Sequence, residues 1–211
     1  MTPHEEYKSI TAKNLIENLE KRNMEGYYAP TKEEAVKKVI SLLDDNSSIS
    51  WGGSVTLSEL NLNDELKKGS YSLIDRSTAK SSDEIKEMYH KALNCDYFLM
   101  SANAITKDGI LINIDGTGNR VAALIYGPEN VIVVAGINKI VSDIESGYKR
   151  IKDIACTTNA IRLDRKTPCH KTGKCNDCLS PDCMCNQIVV TRRSGIKGRI
   201  KVIIVGESLG Y

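Results

Sequence analysis

The residues of this 211-residue chain that could do chemistry gather in two stretches. The first, Ser101 to Ala123, reads Ser-Ala-Asn-Ala-Ile-Thr-Lys-Asp-Gly-Ile-Leu-Ile-Asn-Ile-Asp-Gly-Thr-Gly-Asn-Arg-Val-Ala-Ala. Asn103, Thr106 and Asp108 follow one strand, while Asn113 and Asp115 fall on one face of the next, two residues apart. Gly116, Thr117, Gly118 and Asn119 form a loop that opens a helix, and Arg120 just inside it offers a planar fork for phosphate or carboxylate. Asp108 or Asp115, partly desolvated, could take a proton from a carbon or a hydroxyl. The plainer reading is an Asp-Gly hairpin turn, a helix cap at Thr117 or Asn119, and Arg120 paired with Asp115. Gly52, Gly53 and Ser54 supply a second wall. They follow a short strand and lead into a helix whose first N–H groups favour an anion; simple strand-to-helix punctuation is the alternative.

The second stretch, Pro168 to Asn186, has almost no aliphatic residues and five of the seven cysteines, at Cys169, Cys175, Cys178, Cys183 and Cys185. A Cys-x2-Cys pair aims two thiolates at one ion from a tight turn, and flanking cysteines complete a sulfur tetrad. All candidates lie in one loop, which favours an iron–sulfur cluster slightly over zinc. Five thiols for four places leave one spare. The alternative is a surface loop of free thiols, which are reactive when exposed. His170 is a weaker ligand candidate. Cys95 and Cys156 sit in apolar contexts and read as small core residues.

The elements that must position these groups alternate. A helix is expected over 5–25, a short strand at Tyr27–Ala29, and a helix after Pro30-Thr31, with Thr31 and Glu34 as a capping box. A strand at Ile49–Trp51 precedes a helix from Thr56 to about Leu66. A third strand spans Tyr71–Asp75 and a helix Ser81–Leu93. The apolar runs at Asp96–Ala102 and Asn130–Gly136 suit strands covered on both faces. Ser142 or Asp143 caps a long helix to about Thr157. This rhythm implies βαβ units in a single α/β domain over 1–211, Rossmann-like, with a mostly parallel sheet and helices on both faces. After the cysteine loop, Gln187–Thr191 and Arg199–Val205 read as a strand pair around Gly195 and Gly198.

Composition is that of an ordinary soluble protein, 41% hydrophobic and 27% charged. A net charge of +2 is too small, and too interleaved, to argue for nucleic acid or a membrane surface. No apolar run reaches membrane-span length, and the N-terminus lacks the pattern of a signal peptide. A cytoplasmic location is therefore expected, where seven cysteines would not form a disulfide framework. With three histidines, none beside these motifs, a His-centred catalytic machine is not expected.

Trp51-Gly52-Gly53-Ser54, Asn103-Ala104-Ile105-Thr106-x-Asp108-Gly109, Asn113-x-Asp115-Gly116-Thr117-Gly118-Asn119-Arg120, Cys175-x-Asp177-Cys178-x-Ser180-Pro181 and Gly206-Glu207-x-Leu209-Gly210 together resemble the LUD (lactate utilisation) domain family. The likeness covers nearly the whole chain. The middle stretch is also similar to a region of methylthioribose-phosphate isomerase and initiation-factor two-B subunits. The resemblance implies a fold like ribose-phosphate isomerase and the CoA transferases, with sugar phosphates or CoA esters as ligand classes. It implies a pocket lined by Gly52, Gly53, Ser54, Asn103, Thr106, Asp108, Asn113, Asp115, Thr117 and Arg120. It also implies Cys169, Cys175, Cys178 and Cys185 as the metal tetrad, with Cys183 spare. The glutamate nucleophile of CoA transferases is absent. The expected role is a component of lactate or organic-acid oxidation that binds an anionic metabolite alongside iron–sulfur partner proteins, with a homo-oligomer allowed. The alternatives are an isomerase- or transferase-like enzyme and a non-catalytic, metal-stabilised regulatory subunit.

Overall fold

The computed structural model describes residues 2–211. In chain order its strands are β1 (Glu25–Ala29), β2 (Ser48–Trp51), β3 (Ser72–Ile74), β4 (Tyr97–Met100), β5 (Ala104–Thr106), β6 (Leu111–Asp115), β7 (Asn130–Gly136), β8 (Ile140–Val141), β9 (Gln187–Thr191) and β10 (Ile200–Val205). Its α-helices are α1 (Pro3–Lys21), α2 (Lys32–Ile40), α3 (Val55–Glu59), α4 (Leu62–Leu66), α5 (Ser82–Ala92), α6 (Asn119–Ile125), α7 (Ile144–Arg150), α8 (Cys156–Arg162) and α9 (Pro168–Thr172).

Six strands form one sheet in the order β1-β10-β7-β4-β2-β3, every pairing parallel. Strand side chains alternate, so each central strand feeds two cores. Phe98, Met100, Val131, Val133, Val202 and Ile204 point to one face, where Ala12, Leu15 and Leu19 of α1 cover them. Leu99, Ile132, Val134, Ile203 and Val205 point to the other, against Ala35 and Val39 of α2 and Leu57, Leu62 and Leu66 of α3 and α4. The chain is thus a Rossmann-like α/β protein with helices on both faces, as its apolar runs imply.

Four strands depart from the expected pattern. β5 and β6 form the antiparallel Asp-Gly hairpin, but with β8 and β9 they build a separate sheet in the order β8-β5-β6-β9. The expected C-terminal strand pair does not form. β9 joins β6 in that small sheet, while β10 inserts between β1 and β7 of the main one. Residues 192–199 therefore connect two sheets rather than turn a hairpin. Three local readings also shift. The first helix begins at Pro3, because Thr2 and Glu5 close a capping box, whereas Thr31 caps α2 through Glu34 N without the reciprocal bond. The helix expected over 56–66 breaks into α3 and α4 at Asn61, which is left-handed at φ 49°. The long helix after Asp143 is interrupted by a π-helical turn at Ile151–Ala155 before α8 resumes.

Candidate functional site

A cavity of about 420 Å³ opens beyond the C-terminal ends of the parallel strands, where open α/β sheets place their ligands. β2 delivers Gly53 and Ser54 to its wall, β4 delivers Ser101, Ala102 and Asn103, and Lys139 follows β7. β6 and the loop after it contribute Asp115, Gly116, Thr117, Asn119 and Arg120. The far wall is α8 with the end of the cysteine loop, through Cys156, Asn159, Arg162, Met184 and Cys185. Arg76, Arg165 and Tyr211 complete it. The lining carries four arginines, Arg76, Arg120, Arg162 and Arg165, one lysine, Lys139, and one carboxylate side chain, Asp115.

Arg120 is the keystone of one wall. Its Nη1 donates to Ser101 O at 2.9 Å and to Asn113 Oδ1 at 2.6 Å, and its Nη2 donates to Asn103 Oδ1 at 3.0 Å and to Ile114 O at 2.6 Å. Its Nε stands 3.3 Å from Asp115 Oδ2 as an ion pair. Of the five N–H groups of a guanidinium, four hydrogen-bond to protein acceptors here and the fifth lies in the Asp115 ion pair. The expected fork toward a ligand is corrected: Arg120 ties β4, β6 and α6 together and lends the cavity fixed charge. Burial holds it below the ordinary arginine value, and Asp115 opposes that shift. Glycine at 52 and 53 follows from the same packing. A Cβ at 52 would lie 2.9 Å from Arg120 Cδ, and one at 53 would lie 2.6 Å from Arg76 Nη2. These glycines admit two guanidinium side chains rather than form a helix-dipole anion site, since α3 spans five residues and the Ser54 hydroxyl already caps it through Leu57 N.

Lys139 is 3% exposed. Its Nζ donates to Thr56 Oγ1 at 2.8 Å and Ser101 Oγ at 3.0 Å, and among the described residues no carboxylate reaches salt-bridge distance of it. Burial first, then the nearby charges of Arg150 and Arg120, push its pKa down to about 7. The Leu209-Gly210 tail closes over it, held by Asn138, whose Oδ1 accepts from Leu209 N at 3.0 Å. Lys139 does not stand out in the sequence as a site. Its signal there is a lone lysine between Asn138 and Ile140, just after a buried strand. Arg76, Arg162 and Arg165 carry no motif either, because they reach the cavity from a 3-10 turn at Arg76–Thr78, from α8 and from a loop, positions that only the fold brings together.

The other expected site residues separate into three groups. Gly53, Ser54, Asn103, Asp115, Gly116, Thr117, Asn119 and Arg120 line the cavity. Gly52, Asn113 and Gly118 stand behind it: Asn113 is fully buried and accepts from Arg120, and Gly118 N donates to Asp115 Oδ1 at 3.2 Å. Thr106 and Asp108 lie elsewhere, and their expected part in the pocket is corrected. Asp108 sits on the exposed β5–β6 turn, paired with Arg22 at 3.1 Å, and Thr106 is buried there as a turn residue that accepts from Ile110 N. The Asp-Gly turn of the plainer reading is thus the observed one. Asp115 is the carboxylate on the cavity; its Oδ2 is buried and receives no hydrogen bond.

The cysteine loop adjoins the cavity through Met184 and Cys185. Its thiols are arranged in neighbouring contacts rather than as a tetrad. Cys178 contacts Cys183, Cys185 N donates to Cys183 Sγ at 3.4 Å, and the Cys156 thiol beside Cys185 raises the latter's pKa. Cys169 pairs with Thr167 Oγ1 at 3.2 Å, and Cys175 Sγ accepts from Asp177 N at 3.5 Å. Among the described residues no three His, Cys, Asp or Glu side chains converge as a metal-holding group. The donor chemistry nonetheless suits a thiophilic metal, and residues 173–186 carry no helix or strand that would hold the thiols apart. Cys183, expected to be spare, is the thiol that touches both Cys178 and Cys185. Cys156, expected as a core residue, is buried but also stands on the cavity wall.

A parallel six-stranded sheet with helices on both faces and a cavity at its strand ends defines a Rossmann-like α/β fold. The chain belongs to the LUD domain family, whose model matches residues 12–205. Membership places it with proteins of lactate utilisation in general. Among solved structures it is similar to a DUF162 family protein from Deinococcus radiodurans, at 13% identity and a TM-score of 0.52, covering 94% of this chain and 98% of that one. More partial likenesses are eIF2B delta from Chaetomium thermophilum, at 15% identity and a TM-score of 0.37 over 53% of this chain and 48% of that one, and ribose 5-phosphate isomerase from Plasmodium falciparum, at 17% and 0.35 over 53% and 52%. No curated protein matches the chain by sequence. Among the described residues no helix is long and apolar enough to cross a membrane.

Proposed function

We propose that the protein serves lactate or related organic-acid utilisation by binding an anionic small metabolite in this cavity. The observation that carries the reading is the charge of the lining, four arginines against Asp115 on the same wall, with Arg165 paired to Asp182 at 2.8 Å and Arg76 and Arg162 free of carboxylate partners among the described residues. A concave, low-dielectric wall concentrates that field on whatever enters. Arg120 supplies fixed charge from within the wall. Arg76 donates Nη1 to Tyr89 Oη at 3.0 Å, and Arg162 uses Nε and Nη2 on Asn159 Oδ1, so each keeps N–H groups that can turn to an anion.

The cysteine loop belongs to the same proposal. Cys169, Cys175, Cys178 and Cys185 would supply thiolates to an iron–sulfur cluster or zinc, and a cluster would add one-electron chemistry that zinc lacks. Support comes from Cys185, which belongs to both the loop and the cavity wall, so a metal there and a bound metabolite would be neighbours. Iron–sulfur partner proteins are the natural electron acceptors for such an arrangement. Metal analysis with an anaerobic spectrum tests this part: absorbance near 400 nm supports the redox version, and stoichiometric zinc without it excludes that version. Thermal-shift screening of L-lactate, pyruvate and phosphate tests the cavity; stabilisation by none of them would remove the anion-binding reading.

A second reading is an isomerase- or transferase-like enzyme acting on a phosphosugar or acyl-CoA. It draws on Asp115, the carboxylate on the cavity, whose Oδ2 accepts no hydrogen bond but stands 3.3 Å from Arg120 Nε, so that it would act as a base only against that ion pair. Turnover of such a substrate that disappears in Asp115→Asn would favour it; binding without turnover by the native protein would count against it.

A further inference from the structure

We propose that the Lys139 amine is a nucleophile that forms an imine with the carbonyl group of an anionic ligand held in this cavity. The inference deepens the anion-binding reading and rests on it. Three observations carry it.

The first is geometry. Nζ makes two hydrogen bonds, to Thr56 Oγ1 and Ser101 Oγ. An amine nitrogen is tetrahedral, so one position beyond its own Cε and these two has no protein partner. Lys139 is also one of the residues on the cavity wall.

The second is the choice of partners. A lysine buried for structural reasons is ordinarily paired with a carboxylate, but Lys139 has two hydroxyls instead. A hydroxyl accepts from an ammonium and donates to a neutral amine with equal ease. Both hydroxyls have a further acceptor of their own to turn to, Leu209 O for Thr56 and Ala102 O for Ser101. The pair thus tolerates either protonation state and can pass protons between Nζ and a reacting oxygen.

The third is electrostatics. The charged groups facing Lys139 are Arg120 and Arg150, with Glu59 as the one opposing acid, and Asp115, Arg76, Arg162 and Arg165 stand elsewhere on the same cavity. Arg150 is itself fixed by Asn138 O and Asn103 O at 3.0 and 2.6 Å. Surrounding cations and burial favour the neutral, nucleophilic amine, as in other lysines that react with carbonyls.

The step balances without an oxidant. The Nζ lone pair adds to the carbonyl carbon, and the C=O π pair moves to oxygen. Two protons from the amine pass to that oxygen through the Thr56 and Ser101 hydroxyls. The C–O bond then breaks, water leaves, and a C=N bond stands in place of C=O. The cationic wall holds the carboxylate or phosphate of the same ligand. The ligand class is therefore a small carbonyl compound bearing an anion, either a 2-oxo acid or a phosphorylated sugar aldehyde.

The test uses the full-length protein at pH 7. Pyruvate and glyceraldehyde 3-phosphate are added in separate arms, each is reduced with sodium borohydride, and the digested protein is mapped by mass spectrometry. Calorimetry of unreduced wild type with pyruvate and with inorganic phosphate runs alongside. The expected result is a reduced adduct on Lys139 in one arm, labelled roughly a thousandfold more than exposed lysines because those are almost wholly protonated at this pH. The arm that labels identifies the ligand source. Lys139→Arg, shown to be folded by circular dichroism, should leave position 139 unlabelled without moving the label to exposed lysines. Saturable anion binding with no adduct on Lys139 in either arm overturns the imine and leaves the binding reading standing. Labelling confined to exposed lysines overturns it equally. Absence of both binding and adduct removes the two together.

Discussion

Replacing Lys139 with methionine keeps the length and removes the amine, which makes it the most quantitative probe of the cavity. The folded-state value of about 7 lies below the ordinary lysine value of 10.5. In the window between them the unfolded chain binds more protons than the folded one, so stability rises with pH. Below about pH 7 both states carry the proton, and the full cost of the buried cation is present. The gap between 10.5 and about 7 corresponds to about 5 kcal/mol at ~1.4 kcal/mol per tenfold change in equilibrium constant. Integrated from pH 7 to pH 10, the wild type should gain roughly 3 kcal/mol relative to Lys139→Met. Urea denaturation of both proteins at the two pH values, under reducing conditions, measures that difference. Cysteines and tyrosines titrate in both proteins alike and cancel in the comparison. The methionine variant should also be the more stable of the two at pH 7 and below. Parallel pH dependence of the two proteins would refute the reasoning, because Lys139 would then hold the same proton in the folded and unfolded chain.

Arg120→Met should destabilise the fold by about 3–5 kcal/mol, because it strands a buried Asp115 and unmakes a wall held by four guanidinium hydrogen bonds; urea titration reads it, and Lys at 120 should not restore the loss because it lacks the planar fork. Gly52→Ala should cost about 1–3 kcal/mol through the clash of its Cβ with Arg120, and a thermal melt equal to wild type would show that the guanidinium stem can move aside. Asp108→Asn should change stability by less than ~1 kcal/mol and leave anion binding unaltered, since its partner is Arg22 on an exposed turn; calorimetry showing weakened binding would return Asp108 to the site. Cys178→Ser should lose bound metal while Cys183→Ser keeps it, as read by elemental analysis of anaerobically purified protein, and the reverse pattern would redraw the ligand set around the contacts of Cys183.

The parallel sheet was legible because its central strands are continuous apolar runs: Tyr97–Met100 and Asn130–Gly136 have no polar face to show to water. The second sheet was not. β8 has two residues, and β9 finds its partner β6 across more than seventy positions, a pairing that alternation within either strand does not encode. The π-helical turn at Ile151–Ala155 was hidden for a related reason. Residues that suit an α-helix also suit a single wider turn, and that turn comes just before Cys156 on the cavity wall. Within the site, glycine and asparagine positions around 52–54 and 103–120 could be read from their loop chemistry. Their purpose could not, because it is to make room for Arg120 and to satisfy its N–H groups. Lys139, Arg76, Arg162 and Arg165 escaped for the opposite reason: a single basic residue in a chain with 29 has no spacing to mark it until the fold brings it beside the others.

Anion binding in the cavity is read by isothermal titration calorimetry with pyruvate, L-lactate and phosphate, on the wild type and on Arg76→Gln and Arg162→Gln, at low and high salt. The expected outcome is saturable binding of at least one anion, weakened by salt and by roughly tenfold or more in each variant as a charge-assisted hydrogen bond is lost. Absence of saturable heat for all three anions, or binding indifferent to both arginines, would contradict it.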